Sequence, residues 1–134
     1  MSLGGYAAAL LACLERDLAF AAVIMAPSSL ADGLWQQGRH SPAKLEAEQA
    51  GFTLDDLRHI WAIHCPLVLP RALARDRLFL AWSRGDHVIP RVHVRALWER
   101  WGQPEIRDYP GGHLMQLGWR RYMSDLRGWI LGKV

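Results

Sequence analysis

Two short apolar segments that do not alternate with polar residues constrain the fold most strongly. The longest apolar run covers residues 18–27, and a second covers residues 78–82. A strand with one solvated face alternates apolar and polar side chains, whereas a strand buried on both faces is apolar throughout. The two runs therefore predict buried strands at 17–26 and 78–82. A third, short strand is predicted at 105–109.

Helical patterns separate these strands. Helices are predicted at 4–16, 90–102 and 117–131. The first is predicted to bury one face, formed by Leu3, Tyr6, Leu10 and Cys13 or Leu14. Apolar strands that alternate with helices indicate an α/β fold, with a three-stranded parallel sheet and helices on both sides.

The segment between the first two strands, residues 28–75, has a different character. It predicts three short helices, at about 28–37, 42–50 and 53–64. Thr53 or Asp55 is the predicted cap of the third helix. His59 and His64 are expected to be partly buried structural imidazoles there. With 134 residues in all, the chain is expected to be one domain that carries 28–75 as a helical insertion.

Charge and hydropathy exclude several classes of protein. The chain is 51% hydrophobic and 22% charged, which is inconsistent with wholesale disorder. Its net charge of +3 comes from arginines dispersed among acidic residues. A nucleic-acid interface needs a concentrated basic patch, so nucleic-acid binding is not expected. No apolar run reaches the roughly 18 residues of a membrane span, and no secretory signal is recognised.

Cysteine and histidine spacing gives no sign of a metal site. Cys13 and Cys65 lie in apolar contexts without metal-ligand spacing, so they are expected to be free thiols in a reducing, cytoplasmic compartment. The six histidines contain no HxxxH or HExxH pattern. His87 and His93 are expected to be surface or capping residues. No metal or organic cofactor is expected.

Three short motifs each place a reactive side chain just past a structural element. Ser2-Leu3-Gly4-Gly5 begins the first helix, Gly85-Asp86-His87 follows the second predicted strand, and Gly111-Gly112-His113 follows the third. The carboxyl ends of parallel strands meet at one edge of a sheet, where ligands and catalytic groups collect. A serine on a tight turn into a helix needs small neighbours, and the amide of the next residue, Leu3, would act as an oxyanion donor.

These motifs resemble those of the α/β-hydrolase family of serine esterases and lipases. Ser2-Leu3-Gly4-Gly5 is similar to the end of its Gly-x-Ser-x-Gly-Gly elbow. Residues 80–90 resemble its acid-bearing turn, and Pro110-Gly111-Gly112-His113 its histidine loop. The order serine, aspartate, histidine is also that of the family. The resemblance covers the whole chain, but only the C-terminal half of a typical family domain.

The resemblance implies a role for each residue. Ser2 would be the nucleophile, His113 the general base, and Asp86 the group that orients the imidazole. The reaction would be hydrolysis of a small carboxylic ester through an acyl-enzyme. The insertion at 28–75 matches the position of the family's cap, so Trp35 and Trp61 could line an acyl pocket. Packing within the insertion is the alternative role for both tryptophans.

The sequence also departs from the family pattern. It lacks the glycine two residues before the nucleophile, the strand that leads into the elbow and the four strands before it, together with the second oxyanion donor. Ser83 stands where the acid-bearing turn often has glycine. The alternative function is therefore a non-catalytic fragment or assembly module. The chain is expected to associate through its first helix and the 18–26 strand, as a homo-oligomer or with a separate N-terminal half.

Overall fold

We describe the protein from a computed structural model, which describes residues 1–133. In chain order the elements are α1 (Leu3–Leu14), β1 (Ala21–Ile24), α2 (Leu30–Gln37), α3 (Pro42–Gln49), α4 (Leu54–Ile60), 3-10 turns at Ala62–His64 and Arg75–Arg77, β2 (Leu78–Ser83), α5 (Arg91–Arg100), β3 (Glu105–Tyr109) and α6 (Trp119–Leu131).

The three strands form one parallel sheet in the order β1-β2-β3. Val23 aligns with Leu80, which aligns with Ile106. Helices α1 and α5 pack on the face that carries Val23 and Leu80. Helix α6 packs on the other face, which carries Phe79 and Ala81. The predicted α/β class with a three-stranded parallel sheet is confirmed.

Strand β1 is shorter than predicted, at Ala21–Ile24 instead of 17–26. The backbone leaves the extended conformation at Met25, whose φ is 44°. Residues 25–29 nevertheless stay buried, which explains why the apolar run is longer than the strand. Strand β2 is one residue longer than predicted, and β3 has the predicted bounds.

On the buried face of α1 the predicted Tyr6 and Cys13 are confirmed, but small residues take the place of the predicted leucines. The members of this face are Gly5, Tyr6, Ala9, Ala12 and Cys13. Leu3 and Leu14 are 68% and 63% exposed. The cause is the close approach of α1 to β1, because a Cβ atom on Gly5 would lie 2.5 Å from the Ile24 carbonyl oxygen. Small residues permit this approach, and leucine does not.

Residues 28–75 form α2, α3, α4 and the first 3-10 turn, and they end where the second 3-10 turn begins. Thr53 caps α4 in a capping box with Asp56, which confirms Thr53 as the cap and makes the alternative prediction of Asp55 wrong. The expectation that His59 and His64 are partly buried is also wrong, since both are exposed. Within residues 1–133, no helix is both long and apolar enough to cross a bilayer.

Candidate active site

Ser2 lies at the turn where the chain enters α1. Its backbone has φ 55° and ψ −125°, a conformation that costs a non-glycine residue roughly 1–3 kcal/mol. Two hydrogen bonds hold it: the Ser2 amide donates to the Ile24 carbonyl at 3.0 Å, and the Ser2 carbonyl accepts from the Tyr6 amide at 3.0 Å. The absence of a side chain at Gly5 lets α1 begin directly beside β1. Together these features project the Ser2 hydroxyl from the end of the sheet.

Asp86 follows β2 in a tight turn closed by a hydrogen bond from its amide to the Ser83 carbonyl. The Asp86 side chain is fully buried. One carboxylate oxygen, Oδ1, accepts hydrogen bonds from the amides of Val88 and Ile89, at 2.9 and 2.8 Å. These two donors fix the carboxylate and leave Oδ2 for another partner.

His113 lies in a loop after β3 that two glycines make possible. Gly111 has φ 109°, and a Cβ atom there would lie 2.5 Å from the Met115 oxygen. The amide of Gly112 donates to the same Met115 oxygen at 2.8 Å. The Gly85 amide donates to the Gly111 carbonyl at 2.8 Å, which ties the aspartate turn to the histidine loop.

These three elements bring the side chains of Ser2, His113 and Asp86 together; we call these residues the triad. His113 Nδ1 lies 2.7 Å from Asp86 Oδ2, and His113 Nε2 lies 2.9 Å from Ser2 Oγ. With Nδ1 protonated and donating to Asp86, the unprotonated Nε2 can accept the Ser2 hydroxyl proton. The arrangement can thus generate a serine nucleophile and return the proton to a leaving group.

Leu3 is the first helical residue of α1, next to Ser2. The first amides of a helix have no acceptor within the helix, so the Leu3 N–H remains available beside the serine hydroxyl. The positive end of the helix dipole reinforces it. This is the position from which an amide can stabilise negative charge on an oxygen attacked by Ser2.

The two tryptophans named from the sequence lie apart from the triad. Trp35 on α2 packs within the insertion, where the Lys44 ammonium lies 4.6 Å from its ring centroid and the Phe52 ring lies 6.5 Å away. Trp61 lines a cavity of about 370 Å³ between the insertion and α5. Neither Ser2 nor His113 lines that cavity.

The sequence analysis missed a second serine–histidine pair. His93, expected at the surface, is only 5% exposed, and its Nδ1 lies 3.2 Å from Oγ of the buried Ser28. Burial lowers the pKa of His93, although the negative charge of Asp32 acts in the opposite direction. A signal for its burial was present, because His93 lies one helical turn before the apolar Leu97 on α5.

No family model matches the chain. Two Mycobacterium tuberculosis proteins, MT2702 and Rv2627c, both described as uncharacterized, are each 37% identical over 114 residues. The matches cover 84% of this chain and 27% of each relative, so the chain spans about a quarter of their length. The uncharacterized Bacillus subtilis protein YdjC is 32% identical over 68 residues, which are 51% of this chain and 59% of YdjC.

Solved structures share the fold at low sequence identity. A puromycin hydrolase superposes with a TM-score of 0.60 and 19% identity, over 96% of this chain and 19% of its own. A putative non-heme bromoperoxidase, BpoC from Mycobacterium tuberculosis, gives 0.51 and 15%, over 99% of this chain and 64% of its own. The chain has an α/β-hydrolase-like fold.

Proposed function

We propose that this protein is a serine hydrolase that cleaves a small carboxylic ester through an acyl-enzyme. The proposal is supported above all by the continuous hydrogen bonding from Asp86 through His113 to Ser2, at 2.7 and 2.9 Å. It is also supported by the fold shared with a protein described as a puromycin hydrolase.

In the proposed reaction, Ser2 Oγ attacks the ester carbonyl carbon while its proton passes to His113 Nε2. The Leu3 amide donates to the oxyanion that forms. Collapse of this intermediate expels the alcohol, which takes the proton from His113, and leaves the acyl group on Ser2. Water then attacks the acyl group, with His113 again as the base, and the acid and free Ser2 are released. Asp86 keeps the imidazole in the required tautomer throughout.

The test is covalent labelling of the unmodified chain with a fluorophosphonate, followed by peptide mass spectrometry. We expect the label on Ser2 and none after Ser2→Ala or His113→Ala. Ser28→Ala is a matched control, because it removes another serine hydroxyl bonded to a histidine, and it should keep the label. Failure of the unmodified chain to label, or equal labelling in all variants, would contradict the proposal.

A second candidate is a chain that works only after assembly with another polypeptide, either a second copy or a separate N-terminal half. Strand β1, at one edge of the sheet within residues 1–133, carries no charged side chain, whereas the other edge strand, β3, carries Glu105, Arg107 and Asp108. Charged residues protect a sheet edge from pairing, so β1 is the less protected edge. Leu3, Leu11 and Leu14 add exposed apolar surface on α1.

Light scattering across a dilution series distinguishes the two candidates. Assembly predicts a mass above 15.2 kDa at low micromolar concentration and hydrolysis that falls faster than the protein concentration on dilution. A cooperatively unfolding 15.2 kDa species with a constant specific activity would exclude assembly as a requirement.

A further inference from the structure

The cavity beside Trp61 has the properties of a binding site separate from the triad. Its volume of about 370 Å³ lies at the lower end of the ~300–1,000 Å³ range of small-molecule sites. Most of its wall is apolar, with Trp61, Leu67 and Val68 from the insertion and Val92 from α5. None of the triad residues lines it. An apolar body of modest size would therefore be held between the insertion and α5.

Part of the cavity wall is polar and buried. Ser28 and His93 are 2% and 5% exposed, and the Ser28 hydroxyl is bonded to His93 Nδ1. A neutral imidazole has one donor and one acceptor nitrogen. Whichever tautomer forms, the bond with Ser28 uses only Nδ1, which leaves Nε2 for another group. The pair thus offers one unused, uncharged hydrogen-bonding position.

The charged residues of the cavity wall neutralise each other. The Arg58 guanidinium donates to Asp32 Oδ1 at 2.5 Å, and it also contacts Asp55 at 2.9 Å. Asp32 and Arg58, the two charged residues that line the cavity, are thus already paired with each other, so neither is an unpaired counter-charge for a ligand. A charged ligand would have to lose its hydration without a counter-charge, which is costly in an apolar environment.

We propose that this cavity is a second binding site, which takes an uncharged small molecule with an aromatic or branched apolar body and one hydrogen-bonding group held by His93 and Ser28. The site is independent of the reaction at Ser2, so a ligand in it leaves the triad free.

Cys65 provides a reporter inside the cavity. Its thiol lines the wall and lies 3.6 Å from the Ser28 carbonyl oxygen, to which it donates. In the full chain, the rate at which iodoacetamide alkylates Cys65 would be measured by peptide mass spectrometry, with 2-naphthol as the probe. We expect 2-naphthol to slow the alkylation in a saturable manner. The charged analogues 2-naphthoate and 2-naphthylmethylammonium should give no protection at the same concentration.

Substitutions of His93 and Ser28 test whether these residues hold the hydrogen-bonding group of the ligand. His93→Phe keeps a ring of similar size without its nitrogens and should weaken protection by 2-naphthol about tenfold, the value of one hydrogen bond. Ser28→Ala is a smaller change that should act in the same direction. His59→Phe on the exposed surface of α4 is the matched control and should leave protection unchanged. Equal protection in all four proteins would overturn the proposal.

The same experiment separates this site from the triad. Ser2→Ala should retain full protection of Cys65, and 2-naphthol should not slow fluorophosphonate labelling of Ser2. Competition between 2-naphthol and the fluorophosphonate would make the cavity part of the hydrolase site, and absence of any protection would remove the site. Protection of Cys65 in a chain that does not label at Ser2 would support this site while it contradicts the proposed hydrolase.

Discussion

Residues 1–133 contain two serine–histidine pairs with similar O–N distances but different surroundings. In the first, Ser2 lies 2.9 Å from His113, whose other nitrogen is bonded to Asp86. In the second, Ser28 lies 3.2 Å from His93, and the nearby Asp32 is engaged by Arg58. A histidine acts as an efficient base for serine when a third group orients it and stabilises its charged form. The first pair therefore suits catalysis, whereas the second suits recognition by an uncharged imidazole.

The backbone reinforces this difference. Ser2 has the strained conformation of a turn into a helix, and the free amide of Leu3 is its neighbour. Ser28 is buried in the segment after β1. Strain that persists at a reactive side chain, held by surrounding hydrogen bonds, is typical of functional positions. The comparison teaches that the third residue and the backbone, rather than the serine–histidine distance, separate the two roles.

The largest expected difference between the pairs is in hydrolysis of 4-nitrophenyl acetate. Ser2→Ala and His113→Ala should each lower kcat by up to about 10⁶-fold, because nucleophile and base act as a unit. The double variant should be no slower than either single one. Ser28→Ala and His93→Phe are the parallel changes at the other pair and should keep kcat within about tenfold. A comparable loss of kcat at both pairs would contradict the assignment of catalysis to the first pair alone.

Asp86→Asn tests the third residue alone. It preserves the shape of the side chain but favours the wrong histidine tautomer, so kcat should fall by roughly 10⁴-fold. Asp32→Asn, the corresponding change near the second pair, should affect kcat far less. The measurement is steady-state hydrolysis with circular dichroism as the check on folding. Equal activity of Asp86→Asn and the unmodified chain would show that His113 is oriented by something else.

Most of the fold could be predicted from the sequence, because unalternated apolar strands and glycine-rich turns are local signals. The positions of Ser2, Asp86 and His113 followed from their placement after structural elements, and the fold indeed brings their side chains together. The bounds of β1 could not be predicted. Met25 leaves the strand at a positive φ while it stays buried, so hydrophobicity did not mark the strand's end.

The predictions that were wrong depended on tertiary packing. On the predicted buried face of α1, Tyr6 and Cys13 are buried as expected, but Leu3 and Leu14 are exposed. The close approach of α1 to Ile24 favours glycine and alanine on the rest of that face. The prediction of His93 as a surface or capping residue was also wrong, because Ser28, distant in sequence, is the partner of its Nδ1 in the interior. Such partners are known only once the chain has folded.

The two cysteines differ in their surroundings, because Cys65 lines the cavity and Cys13 lies in the buried core. Burial raises the pKa of Cys13 to about 11 from an ordinary value of 9.0, so its reactive thiolate should be about a hundredfold rarer at pH 8. In the unmodified chain, alkylation of Cys13 should be correspondingly slow and should accelerate about tenfold for each pH unit up to about 11. Peptide mass spectrometry gives the rates. Rapid alkylation of Cys13 at pH 8 would mean that its surroundings open readily.

A single methyl group added at Gly5, next to the tight turn that carries Ser2, should lower the stability of the protein. Gly5→Ala places a Cβ atom 2.5 Å from the Ile24 oxygen and should lower the free energy of unfolding by about 1–3 kcal/mol. Gly4→Ala is the control, because a Cβ atom there meets nothing within 4 Å. It should stabilise the helix by roughly 0.5–1 kcal/mol. Urea unfolding measures both values, and similar effects of the two substitutions would show that α1 can move away from β1.

The smallest expected effect is the pH dependence of stability that His93 contributes. Burial lowers the pKa of His93 in the folded protein, so the unfolded chain binds the proton more tightly. The free energy of unfolding should therefore decrease as the pH falls below about 6.5, by at most about 1.4 kcal/mol for each pH unit. His93→Phe should reduce this slope in urea unfolding between pH 7 and 5, whereas the exposed His59→Phe should not. An unchanged slope in His93→Phe would mean that the folded protein and the unfolded chain bind the His93 proton equally well, so that burial does not keep this imidazole uncharged.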